Sequence, residues 1–538
     1  MRSAVLPVIA VMCAVWPRTL LFAAEAPRNS ACAAKPVEVA GTGPAWNGWG
    51  GTLNNARFVS SADAELTAGN VPGLKLKWAF AFPGDLSAYS QPVVFGGRLF
   101  VGSAGGTIYS LDTKTGCGFW SYDALSGVRA AIVIAPFEDG FAAYAADQQA
   151  NVYAVNASTG KLLWKTRADA HPQARITGSP QFYKGVLYVP VASGEEWAKA
   201  DPDYECCTFR GSVAALDART GKQIWKTYTI PETPKPLGKT RNGKQRWGPS
   251  GVSVWGAPAI DPKRNALYIG TGESTSEPES STADAILAMD LDTGKILWAH
   301  QLTENSLFRA GCVYSNRASC PDRPGPDHDF TASPVLRELS KRKRVLIAGQ
   351  KSGLVHALDP DDEGEIVWQQ KIGKGGLWGG VEWGPAADEN NVYVPLSDLA
   401  LENVNADTGY RPVPSAGGGL FALRLRDGKK VWSAPPPPAC ARPGCSPAQS
   451  AAAAVIPGVV FSGALDGVLR AYSTQDGSVL WQYDTARDFP STVNGAQGKG
   501  GGIEGPSATI SGGMVFVNSG FGQLHGMPGN VLLAFGTR

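Results

Sequence analysis

Val213–Trp225 reads VAALDARTGKQIW. Alternating apolar residues make a half-buried strand, the Thr-Gly-Lys turn demands a residue at positive φ, and a second strand carries apolar residues up to a Trp. The phrase returns at Val152–Trp164 (VYAVNASTGKLLW) and Ala288–Trp298 (AMDLDTGKILW). Looser copies end at Trp120, Trp368, Trp432 and Trp481, giving intervals of 44, 61, 73, 70, 64 and 49 residues from Trp120 onward. Such self-similarity means one hairpin unit repeated around a ring. Trp78, in LKLKWAF, follows no repeat, and the last strand, Val531–Gly536 (VLLAFG), lacks a Trp partner. Pairing the two in one blade completes both and removes the open sheet edges. The expected fold is all-β: an eight-bladed β-propeller with Trp-docking repeats, its ring closed by the N- and C-terminal strands.

The first residues resemble a secretory signal: Arg2, an apolar stretch from Ala4 to Trp16, and small residues at Ala23, Ala24 and Ala26. We therefore expect a signal peptide over 1–26, one propeller domain over 27–538, no membrane span after signal removal, and a periplasmic or secreted location. The roughly 512 residues that follow the expected signal allow about 64 per blade, against about 40–45 for a minimal blade, which leaves length for loops that can build a site. Nine Cys include Cys13 within the signal; the even remainder in an exported chain points to disulfides. Spacing suggests Cys312 with Cys320, Cys440 with Cys445 and Cys206 with Cys207, leaving Cys32 for Cys117; two separate thiols are the alternative for Cys206 and Cys207.

No CxxCH occurs, so no covalent haem is expected, and the five His form no metal-ligand pair. A formal charge of +2 gives no reason to expect nucleic acid. The basic run from Lys341 to Arg344 reads as a solvated hairpin turn. Pro435–Pro438 and Ala451–Ala454 read as the frame of a surface insertion around Cys440 and Cys445.

Five segments between the repeats are not required by propeller packing. They are Val189–Gly211 (VPVASGEEWAKADPDYECCTFRG), Trp255–Glu273 (WGAPAIDPKRNALYIGTGE), Gly325–Leu336 (GPDHDFTASPVL), Ala348–Leu358 (AGQKSGLVHAL) and Gly379–Asp388 (GGVEWGPAAD). Their order, set among the Trp repeats, resembles the eight-bladed quinoprotein alcohol dehydrogenases, nearest the polyvinyl alcohol dehydrogenases, over nearly the whole chain. The resemblance implies pyrroloquinoline quinone as cofactor, a calcium ion beside it and a separate cytochrome c as electron acceptor. The implied activity is oxidation of secondary alcohol groups to ketones, in polyvinyl alcohol or a related polyol.

Carried over by position, the first metal carboxylate is Glu196, after Ser193-Gly194, or Glu205, counting back from Arg210-Gly211. The second is Glu273, where the family usually has Asn. Trp255 supports the quinone face, and Lys351 takes the place of a cation against the quinone oxygens. The catalytic base is Asp327 or Asp329. The Asp-x-Asp spacing also resembles lanthanide-using relatives, in which the second carboxylate, here Asp329, binds metal. Arg129 resembles an early cofactor arginine, Trp383 a pocket residue beside Glu382, and Cys206-Cys207 a cysteine pair set in a later blade than the family's. A noncatalytic propeller, serving as assembly scaffold or binding module, is the competing expectation; a sugar or polyether substrate is another.

Overall fold

The computed structural model describes residues 31–32, 38–196, 204–240, 242–310, 312, 320, 324–341, 343–405, 409–523 and 526–537. The signal segment 1–26 lies outside them, as does the middle of the loop between Glu196 and Tyr204. Among the described residues no helix is long and apolar enough to cross a membrane.

Among the described residues eight antiparallel sheets form the ring, seven of four strands and one, blade 3, of five, in which Ala174–Arg175 also pairs with Val186–Ser193. In chain order, blade 1 runs from Val93–Phe95 to Gly118–Asp123, blade 2 from Val133–Phe137 to Leu162–Arg167, and blade 3 from Gln181–Tyr183 to Gln223–Tyr228. Blade 4 runs from Ala259–Asp261 to Ile296–Gln301, blade 5 from Val335–Ser340 to Glu365–Lys371, blade 6 from Ala386–Ala387 to Lys430–Ala434, and blade 7 from Ala454–Ile456 to Val479–Asp484. Blade 8 takes three strands from the C-terminus, Thr509–Ser511, Met514–Ser519 and Val531–Gly536, and its outer strand, Lys75–Ala81, from the N-terminus. Lys75 pairs with Gly536 and Ala81 with Val531, so the expected closure is present and the ring has no unpaired seam.

The Trp repeat is the joint between blades. The indoles of Trp78, Trp120, Trp164, Trp225, Trp298, Trp368 and Trp432 lie against the next blade's turn glycine, and the Nε1 hydrogens of Trp78, Trp120, Trp164, Trp225, Trp368 and Trp432 are donated to carbonyls there. Trp120 bonds Ala157 O at 2.9 Å, Trp164 bonds Ala218 O at 2.9 Å, and Trp368 bonds Leu425 O at 2.8 Å. Gly221 has φ +71°, and a Cβ there would sit 2.6 Å from Trp164 Cε3. The Thr-Gly turn therefore needs glycine twice, for its backbone and for the neighbour's ring. Trp481, beside the closing blade, docks on Leu74 O at 3.1 Å, across 407 residues.

This topology fixes where a site can form. In an antiparallel four-stranded meander the turns joining strands one to two and three to four lie at one end. Those joining two to three, and one blade to the next, lie at the other. All the Trp-docking turns are at the first end, so the long segments singled out in the sequence gather at the second.

The other end is filled by residues 46–58. This segment bonds Val94, Ile134, Ile260, Leu336, Ala387 and Val455, on the innermost strands of six blades. At the axis Arg57, 1% exposed, donates to Ala453 O, Trp49 O and Gln91 Oε1 and lies over the rings of Trp46 and Trp49.

All four expected disulfides are formed. Two surface expectations need correction. Arg344 is not solvated: it is 8% exposed and tied to Asp261 of blade 4 and Asp361 of blade 5, because a hairpin turn at a blade interface has carboxylates on both sides. Ala451–Ala454 are fully buried, leading into blade 7's inner strand, where small side chains fit the crowded axis; the exposed part of that region is near Arg442.

Candidate active site

The loops at the open end surround a cavity of about 400 Å³. Arg129, Glu196, Trp255, Asp327, Asp329, Lys351 and Trp383, all named from sequence, line it. They sit near strand ends: Glu196 just past Val186–Ser193, Lys351 in the turn after Lys343–Gly349, and Arg129, Trp255, the two Asp and Trp383 ahead of the first strands of blades 2, 4, 5 and 6.

Glu273, Asp327 and Asp329 are buried together, with carboxylate oxygens within 4.8 Å of one another. The backbone N–H of Glu273 donates to Asp329 Oδ1 at 3.1 Å. Lys351 reaches both Asp side chains, its Nζ lying 3.0 Å from Asp327 Oδ1 and 3.5 Å from Asp329 Oδ2. Its own N–H donates to Asp329 O. Burial pushes the Glu273 carboxyl well above its ordinary value, with Asp329 and Glu196 adding to the push. Burial also raises Asp327; Lys351 opposes this while Asp329 and Glu196 reinforce it. Burial alone would lower Lys351, but Asp327, Asp329, Glu382 and Glu196 outweigh it and hold the ammonium. Carboxylates that raise one another in this way are short of positive charge, the condition a hard cation with oxygen ligands relieves.

The opposite wall holds Arg129, its guanidinium 4.3 Å above the Trp383 ring, with Trp49 5.9 Å from Trp383 beneath. Trp383 donates to Glu504 Oε1 at 2.6 Å, and Ser450 donates to the same oxygen. Burial pushes Glu504 up to about 7 against those two hydrogen bonds, and Glu382 up to about 8 against Lys351. The Nε atoms of Arg129, Arg175 and Trp255 (its Nε1) are buried without a hydrogen-bond partner, as are Glu382 Oε1 and Glu504 Oε2. Buried polar atoms are costly unless paired, so this wall is built for a polar guest.

Two sequence alternatives separate in space. Glu196 lines the cavity, whereas Glu205 is exposed on its loop. The adjacent Glu195 faces away, accepting from Tyr204, Thr208 N and Phe209 N, which anchors the irregular segment carrying Cys206 and Cys207. That cysteine pair is buried against the Arg309 guanidinium and is not in the cavity wall among the described residues; Ala310, next to Arg309, is. Sequence reasoning missed Arg175, Glu504, Trp378 and Phe521, all in the wall. Glu504, within the glycine-rich 498–505, and Trp378, just ahead of the segment Gly379–Asp388, stood near a readable signal.

A repeat-family model described as outer membrane protein assembly factor BamB matches residues 62–304 and 282–493, stretches built from the Trp repeats. The chain is 43% identical over 515 residues to a polyvinylalcohol dehydrogenase of Pseudomonas sp., covering 93% of this chain and 78% of that protein. The chain belongs to the polyvinyl alcohol dehydrogenase family. A polyvinylalcohol dehydrogenase of Sphingopyxis sp. (strain 113P3) is 39% identical over 530 residues, with 95% of this chain and 79% of that one covered. The solved quinohemoprotein alcohol dehydrogenase ADHIIG of Pseudomonas putida HK5 matches with a TM-score of 0.67 at 19% identity, over 96% of this chain and 83% of that chain, which supports the propeller fold. Within this family the chain is an oxidoreductase of the quinoprotein alcohol dehydrogenase type. The noncatalytic expectation accounts for the repeat alone and leaves the buried Lys351 and its carboxylates without a role.

Proposed function

We propose that the chain is a periplasmic or secreted enzyme that oxidises secondary alcohol groups of polyvinyl alcohol or a related polyol to ketones. In this reading it uses pyrroloquinoline quinone and calcium, and a separate cytochrome c takes the electrons. The observation that carries the reading is the joint presence, in one cavity, of a buried lysine between two aspartates and a wall of unpartnered guanidinium and indole nitrogens. A flat, multiply anionic quinone fits this donor set: Trp255 offers a face, and Arg129 and Arg175 offer cations. Bound there, pyrroloquinoline quinone supplies the electron sink that accepts hydride from the carbinol carbon. Glu196, Glu273 and Asp329 would hold the metal, a Lewis acid beside the quinone oxygens. Because Asp329 is tied to the Glu273 backbone, it belongs with the metal, and the extra acid at Glu273 leaves a lanthanide as the second choice.

Asp327 is then the base. A carbinol gives up hydride only as its hydroxyl proton leaves, so a carboxylate must stand next to the reacting oxygen. Lys351, 3.0 Å away, favours the ionised form of Asp327 against burial and provides positive charge where oxyanion character develops. The test is dye reduction by the mature protein after incubation with the quinone and calcium, on polyvinyl alcohol and a short secondary diol. Quinone-dependent turnover is expected, and a folded protein that binds no quinone would refute the reading.

A further inference from the structure

Apart from Trp255, the roles assigned in the cavity fall on charged side chains, yet a secondary alcohol is mostly hydrocarbon. Of the apolar wall, Trp255 is assigned to the quinone, and Trp383 has Arg129 on its face. Ala310 is small, and Leu377, Trp378 and Phe521 remain as the larger apolar side chains. Phe521, 7% exposed, belongs to an apolar cluster with Leu465, against which Leu399 packs. The Leu399 N–H in turn donates to Trp378 O.

Leu377 and Trp378 lie in a glycine-rich loop, GKGGLWGG over 373–380, that has no regular structure to hold it. One side chain does so instead. The Asp398 carboxylate accepts from Lys374 N at 2.8 Å, Gly375 N at 3.1 Å and Gly380 N at 3.0 Å, gripping the loop on both sides of Leu377-Trp378. Asp398 itself sits at φ +41°, a conformation non-glycine residues keep only when their surroundings impose it. Ser397, 1% exposed, adds a hydrogen bond from its hydroxyl to Trp378 O at 2.8 Å. The loop also packs on the backbone of Lys351: Gly376 N donates to Lys351 O at 3.1 Å, and a Cβ at Gly380 would come within 2.2 Å of that oxygen.

We propose that Leu377 and Trp378 form the surface that receives the hydrocarbon flanking the reacting carbinol, and that Asp398 is the positioning residue setting both this surface and Lys351. The proposal rests on the alcohol dehydrogenase reading and names its specificity determinants. A single carboxylate thus couples how well the alkyl chain is gripped to where the reacting oxygen meets its cation. The three N–H groups are donors, so an anionic acceptor holds them more tightly than a neutral one.

The experiment compares Trp378→Ala, Asp398→Ala and Asp398→Asn with the wild type on 2-propanol and 2-octanol, alongside equilibrium dialysis of pyrroloquinoline quinone with calcium. Trp378→Ala is expected to raise the 2-octanol to 2-propanol ratio of KM values at least about tenfold, since lost apolar contacts in a pocket discriminate on that scale. Its quinone affinity should stay within about twofold of the wild type. Asp398→Ala should raise the same ratio and also lower kcat on both alcohols, whereas Asp398→Asn, which keeps one acceptor oxygen, should recover most of the loss. An unchanged KM ratio in Trp378→Ala, or weakened quinone binding in its place, overturns the substrate-surface assignment. Asp398→Ala and Asp398→Asn behaving alike overturns the positioning role. A wild-type protein that fails to bind the quinone overturns the underlying reading, and this proposal with it.

Discussion

Gly221→Ala separates the two demands the repeat places on its turn glycine. The new Cβ meets a φ of +71°, and it lies 2.6 Å from Trp164 Cε3 and 2.8 Å from Cδ2. Gly185, in the same blade, is the control: φ is +81° and nothing lies within 4 Å of a Cβ built there. Left-handed backbone costs an alanine about 1–2 kcal/mol, of which about 0.4–1 kcal/mol is returned by a less flexible unfolded chain. Gly185→Ala should therefore cost about 1 kcal/mol. Gly221→Ala adds overpacking, typically about 1–3 kcal/mol. If the indole yields, its 2.9 Å bond to Ala218 O is also lost, about another 1 kcal/mol. Urea midpoints at fixed slope should then place Gly221→Ala about 2–3 kcal/mol below Gly185→Ala. Equal losses in the two variants would refute the claim that the turn glycine is a docking surface.

Asp327→Asn should cut turnover by about 10² to 10⁴ while quinone binding by dialysis remains measurable, because the base acts on the substrate proton. Asp329→Ala and Glu196→Ala should instead raise the calcium concentration needed for half-maximal activity, read by back-titration of chelated protein; equal calcium dependence to the wild type would remove them from the metal site. Lys351→Ala should lower kcat by about 10² to 10³ through loss of charge at the reacting oxygen, seen in steady-state kinetics. The ligand-free protein should lose stability as pH rises from 4.5 to about 7 through Glu504, whose folded value lies above its ordinary 4.5. The sign follows from burial favouring the neutral form in the folded state only, so Glu504→Gln should flatten the urea midpoint over that range.

The ring was legible because its joints are local. A strand, a turn glycine and a Trp recur within about a dozen residues, and the physics that requires them, φ at the glycine and contact at the indole, acts between adjacent blades. Even the closure could be read, since Trp78 and Val531–Gly536 were each missing what the other had. The site was legible to the extent that its residues sit at strand ends: Glu196, Glu273 and Lys351 each follow a strand whose repeat placement was known. Where an insertion broke the count, at Glu196 against Glu205, sequence could offer only both. Burial separates them: Glu196 lines the cavity and Glu205 is exposed.

What stayed hidden acts across the axis. Arg57 and Trp49 lie in a segment with no repeat character, yet they continue directly into the site: Arg57 lies 4.6 Å from the Trp49 ring, Trp49 is 5.9 Å from Trp383, and Arg129 lies 4.3 Å over Trp383. Cations therefore cap both ends of an aromatic pair that reaches from the plugged end to the open end. A cation over an aromatic face contributes about 0.5–1 kcal/mol when exposed and about 2 when desolvated, as here. None of these four residues is near another of them in sequence, apart from Trp49 and Arg57, so no window of the chain could reveal the column. Its consequence is mechanical. The Trp383 ring that carries Arg129 rests in turn on Trp49 of the N-terminal segment, which is bonded to the inner strands of six blades, so the guanidinium that faces the cavity is referenced to most of the ring at once. A site built from loops of several blades needs such a common reference if its opposite walls are to keep their spacing.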